Sequence, residues 1–127
     1  MARPHLLVLL AAVAMVAAQN PLSQIHVDMD ALLADPAKVD AAVQCFVEDG
    51  DDSCEPLAKI IKSLISEMVK TNCAECSEPQ KDDVAKFLSY VSKNKPDDMK
   101  KLLTKYDPSG EAVAKYGDNW RARGVNL

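Results

Sequence analysis

Four cysteines, at positions 45, 54, 73 and 76, are the side chains in this 127-residue chain whose type and spacing could do chemistry. Cys73 and Cys76 stand two residues apart in the stretch TNCAECSEPQK, residues 71–81. That spacing is shared by zinc half-sites, redox pairs and small structural bridges. A zinc site needs a second close-set couple, but eight residues separate Cys45 from Cys54. A thioredoxin-type pair needs a strand running into a helix, and no strand pattern surrounds Cys73. An even cysteine count in a small exported chain reads instead as two disulfides. Three pairings are open. Bridges between sequence neighbours need no long-range docking, and the chain-entropy relation gives them about 2.7 kcal/mol for a ten-residue loop and about 1.9 for a four-residue one.

Little else suggests catalysis. His26 is the one histidine beyond the first few residues, and with the cysteines engaged there is no nucleophile–base couple around it. The acidic pairs Asp51-Asp52, Asp82-Asp83 and Asp97-Asp98 fall at a turn or early in helices, where carboxylates favour the positive end of the helix dipole. No glycine loop could cradle a phosphate. An enzyme is not expected, and no metal or cofactor is expected.

The elements that would position these residues are helical. Residues 1–18 carry Arg3, His5 and the apolar run LLVLLAAVAMVAA, which ends in small residues. This is the pattern of a secretory signal peptide, and the run is short for a membrane span. Removing Arg3 from 15 basic residues against 19 acidic ones leaves the mature chain at a net charge of about −5, a surface that does not seek nucleic acid or anionic lipid. The chain is expected to be secreted and monomeric, with a helical domain over 19–117 and a loose tail over 118–127.

No segment alternates as a strand does; apolar residues recur at helical spacing. A short helix is predicted over 26–35 with Asp28 as a cap, and a second from Pro36 to Glu48. A third starts after Ser53, a candidate N-cap, with Pro56 in its first turn. Its positions 57, 60, 61, 64, 65, 68 and 69 are all apolar, the longest such stripe in the chain. Ser77 and Gln80 form a capping box for a fourth helix. Pro96 opens a fifth, and a weak sixth is predicted from Glu111 to Tyr116, ended by Gly117. The fold class is all-α: one compact domain of about six short helices with two local disulfides.

The pattern Cys45-x8-Cys54-x18-Cys73-x2-Cys76 resembles the four-cysteine signature of the arthropod chemosensory proteins, the OS-D-like family. KTNCAECSEPQK (70–81), KNKP (93–96) and KYDP (105–108) are similar to that family's typical segments, so the resemblance spans about Asp28 to Tyr116. It implies six helices around an internal apolar channel, bridges Cys45–Cys54 and Cys73–Cys76, and a soluble carrier of odorants, pheromones, fatty-acid-like or other lipophilic molecules. The chain departs from the family in having eight rather than six residues between the first two cysteines, and Met99 where a tryptophan is common.

Given such a channel, the third helix should form one wall through Ile61, Leu64, Ile65 and Met68. Val43, Phe46 and Val47 of the second helix should face it, with Val84, Leu88 and Val91 of the fourth opposite and Met99 of the fifth closing the ring. The alternative is a secreted, solid-cored helical interaction or developmental protein that acts through a protein partner, such as a receptor. Saturable binding of an apolar probe separates the two.

Overall fold

The computed structural model describes residues 25–127; the signal peptide expected over 1–18 lies outside them. Among the described residues there are six α-helices and no strand: α1 (Met29–Leu33), α2 (Pro36–Val47), α3 (Pro56–Thr71), α4 (Glu78–Asn94), α5 (Pro96–Tyr106) and α6 (Glu111–Ala122).

Local sequence explains most of the boundaries. The Asp28 carboxylate accepts from the Ala31 amide and starts α1. Asp35 does the same for Lys38 at the head of α2, with Pro36 in the first turn. At α4 the Ser77 hydroxyl accepts from the Gln80 amide, and the Gln80 side chain accepts from the Ser77 amide, so the capping box forms as read. Replacing Ser77 by alanine should therefore cost about 1 kcal/mol, measured by urea unfolding. An unchanged midpoint would show that the reciprocal bonds do not stabilise α4.

Two readings need correction. Ser53 does not cap α3: the N-cap is Glu55, without a side-chain cap bond, and Pro56 opens the helix. The Ser53 amide instead donates to the Glu48 carboxylate at 2.8 Å, closing the loop between α2 and α3. That bond holds the Glu48 carboxyl below its ordinary pKa. The tail is also not loose. Gly117 does not end the last helix, which continues to Ala122, and Val125 beyond it is buried.

The core joins Val39 and Val43 of α2, Ala85, Phe87 and Val91 of α4, Met99 and Leu102 of α5, and Val125. Here α4 packs on α5, α1 on α2 and α4, and α2 on α3 and α5. Helix α3 is different. Its stripe is the longest in the sequence, yet none of its side chains is buried. Leu57 and Ile60 are left 40% and 51% exposed.

The corner where α2, α3 and α5 meet is tied by polar groups. Lys62 Nζ donates to the carbonyls of Glu48 and Gly50, and Lys105 Nζ to those of Val47 and Glu48. The Tyr106 hydroxyl donates to the carbonyl of Phe46. Three side chains from two other helices thus satisfy carbonyls that the end of α2 leaves without helical partners. The Cys45–Cys54 disulfide crosses the same corner.

Helix α6 is fastened by separate anchors. At its head the Asp107 carboxylate accepts from the amides of Ala112 and Val113, both at 3.0 Å. At its far end Trp120 Nε1 donates to Asn72 Oδ1 at 2.8 Å. Arg123 donates to Asp82 at 2.7 Å and to Glu78 at 3.1 Å, and its guanidinium holds the Glu78 carboxyl below its usual pKa. The Ser89 hydroxyl donates to the Gly124 carbonyl, and the Asn126 amide to the Ser92 hydroxyl. These bonds, together with burial of Val125, explain why residues without apolar periodicity are ordered.

Candidate functional site

The uncovered stripe of α3 faces a cavity of about 410 Å³ that is walled by every helix. From α3 come Ile61, Ile65 and Met68, with Phe46 of α2 across from them. Val84, Phe87 and Leu88 of α4, and Met99, Leu102 and Tyr106 of α5, form further walls. Phe46 and Phe87 meet edge to face, with ring centroids 6.1 Å apart. Such aromatic pairs hold their geometry beyond what area burial alone would do.

Seven of the eleven channel residues expected from the sequence lie on this cavity: Phe46, Ile61, Ile65, Met68, Val84, Leu88 and Met99. Four do not. Val43 and Val91 are core residues at 3% and 0% exposure. Val91 sits one turn before the Lys95 joint between α4 and α5, where those two helices pack together and seal that part of the apolar face. Val47 ends α2, half-buried against the core, with its carbonyl held by Lys105. Leu64 is half-buried but lies off the cavity wall. It is about 60° around the helix from Ile61 at 100° per residue, at the edge of the stripe.

Besides single positions such as Phe87, Leu102 and Tyr106, two groups of wall residues were missed. Ile25, Val27, Met29 and Leu32 contribute from the start of the described chain, and Val113, Tyr116, Trp120, Val125 and Leu127 from α6 and the tail. Gly117 also lies on the wall, and a Cβ built there would stand 3.1 Å from Arg121 Nη1 and 3.4 Å from Val113 Cγ1. Its lack of a side chain serves close packing, which is why it does not act as a helix stop.

The structure pairs Cys45 with Cys54 and Cys73 with Cys76, and leaves no free cysteine among the described residues. The second pair sits at the end of α3, where Asn72 and Cys73 both take left-handed backbone at φ 56°. The Asn72 turn is the one that receives the Trp120 indole. Asn72, Cys73 and Cys76 all line the cavity, so this staple shapes its wall as well as the turn.

One member of each acidic pair is engaged in a surface ion pair. Asp51 pairs with Lys59 and Lys62, Asp82 with Arg123, and Asp98 with Lys101. Burial pushes the Tyr106 phenol above its ordinary pKa, so it stays protonated and keeps donating to Phe46. The bond to Asp40 raises the Lys95 ammonium. His26 is exposed. Among the described residues no three His, Cys, Asp or Glu side chains converge as a metal site, and no helix is long and apolar enough to cross a membrane.

Comparison with known proteins agrees with this geometry. The model of the insect pheromone-binding family, A10/OS-D, matches residues 24–114. Ejaculatory bulb-specific protein 3 of Drosophila melanogaster is 29% identical over 102 residues, which is 80% of this chain and 79% of the fly protein. The antennal chemosensory protein A6 of the moth Mamestra brassicae superposes with a TM-score of 0.63 at 29% identity, over 80% of this chain and 97% of that one. A chemosensory protein solved in complex with bromo-dodecanol superposes with the same TM-score and identity, over 73% of this chain and 91% of that one.

Proposed function

Because the chain belongs to the insect pheromone-binding A10/OS-D family, we propose that it is a secreted, non-catalytic carrier that holds small hydrophobic ligands in the cavity between its helices. The observation that carries this reading is α3: of seven apolar positions on one face none is buried, and Leu57, Ile61, Ile65, Met68 and Val69 line an open space of about 410 Å³. Burial of apolar surface contributes roughly 25 cal/mol per Å², so a face left uncovered by the protein is a source of binding energy for an apolar guest. A relative that holds bromo-dodecanol supports the same occupant class. The cavity's size and its mostly aliphatic walls suit one flexible chain, and Met68 and Met99 can adjust to its shape.

Secretion is part of this proposal and rests on the leader-like residues 1–18 together with the paired cysteines. The experiment is a titration of the purified mature protein with an apolar fluorescent probe, followed by displacement. Saturable binding near one probe per chain, reversed by a long-chain alcohol, is the expected result. Absence of saturable binding by monodisperse, folded protein would rule out the carrier and favour the solid-cored alternative.

A further inference from the structure

We propose that the cavity selects neutral oxygen-bearing chains, such as long-chain alcohols and esters, over chains that end in an ionised carboxylate; this rests on the carrier reading above. The inference comes from the charges on the wall. Two half-buried carboxylates line the cavity, Asp83 on α4 and Asp107 at the head of α6. Among the described residues the one cation on the wall is Lys38, which is exposed, as is Glu55, the remaining acidic wall residue.

Among the described residues no half-buried cation is free to come inward. The half-buried lysines all have other partners: Lys62 and Lys105 hold the carbonyls at the end of α2, Lys81 pairs with Glu78, and Lys95 pairs with Asp40. Arg123 is engaged by Asp82 and Glu78. Asp107 is fixed on the amides of Ala112 and Val113, so its charge stays beside the cavity. An entering carboxylate would give up its hydration without gaining a half-buried counter-ion, since Lys38 stands in solvent at the rim, and it would meet two charges of its own sign. A neutral hydroxyl or ester bears neither cost. The Tyr116 hydroxyl, on a wall residue and without a hydrogen-bond partner among the described residues, offers such an oxygen a donor.

The test is displacement of the neutral probe N-phenyl-1-naphthylamine from the mature protein by dodecanol, methyl dodecanoate and dodecanoate at about pH 8, where the acid is ionised. Dodecanol and the ester should displace it at concentrations about tenfold lower than dodecanoate does, the effect expected for unfavourable charge contacts at partly screened distances. Equal or stronger displacement by dodecanoate would overturn the charge selection and leave the carrier reading standing. A protein that binds no probe at all would overturn both.

The variant Asp83→Lys separates this wall from the general cost of stripping water from a carboxylate. It should shift the ratio of dodecanoate to dodecanol affinity by about tenfold toward dodecanoate. If that ratio does not change, Asp83 does not set the preference and the proposed mechanism fails.

Discussion

Ile65→Asp should weaken binding of an apolar probe by about a hundredfold while the protein stays folded. Ile65 lies on the cavity wall in the middle of α3, a helix with no buried side chain. A carboxylate placed there stays in reach of solvent, because protein does not close over the α3 face, so the free protein loses little. The cost is about 1 kcal/mol, mostly the poorer helix propensity of aspartate and the lost half-buried contact. A bound apolar chain would remove that water and desolvate the charge, and the whole penalty then falls on the complex. Probe titration and thermal melting on the same sample check both halves. A collapse of the melting temperature would mean that Ile65 belongs to a filled core. Unchanged probe affinity would mean that the ligand sits elsewhere.

The same charge in α4 should do the opposite. Val91→Asp should cost at least about 3 kcal/mol of stability, because Val91 is fully buried and no cationic group faces it from within the core cluster. Folded domains have only about 5–15 kcal/mol to lose, so this variant should unfold in low urea or fail to accumulate as folded protein. Urea unfolding followed by circular dichroism reads it directly. A wild-type midpoint would show that the α4–α5 joint is open to water and that the assignment of Val91 to the core is wrong. Val91 and Ile65 are indistinguishable by residue type and by helical phase. Opposite outcomes at the two positions would mark where the core stops and the cavity begins.

That pair also shows what the sequence could and could not convey. Helix existence was legible because its causes are local. Asp28 and the Ser77/Gln80 box cap within three residues, Pro36, Pro56 and Pro96 open first turns, and the stripe of α3 holds one phase over four turns. The disulfide partners followed from a family resemblance together with short loops. Whether an apolar face meets protein or empty space is a property of the neighbouring helix. Val43 and Val91 were therefore assigned to the channel by the same reasoning as Phe46 and Leu88, which do line the cavity.

The tail was misjudged for a related reason. Arg123 on Glu78 and Asp82, Trp120 on Asn72, and Asn126 on Ser92 span 34 to 48 residues of chain, and no local pattern announces them. Gly117 looked like a helix end because glycine usually weakens a helix. Here the missing side chain lets Arg121 and Val113 approach. Ser53 looked like a cap because its type fits one, but the helix begins only at Pro56, with Glu55 in the N-cap position.

The bare face of α3 ties the protein's lifetime to its cargo. A guest that binds only the folded chain adds RT ln(1 + [L]/Kd) to folding stability, about 2.7 kcal/mol when ligand stands at a hundred times Kd. That is comparable to the chain-entropy contribution of the Cys45–Cys54 loop. For the secreted carrier proposed above, proteases in the surrounding fluid would act on transiently opened chains, and the open fraction falls as occupancy rises. Loaded carrier would then persist while empty carrier is cleared, so the amount of protein in the fluid would follow the supply of ligand without any separate sensor.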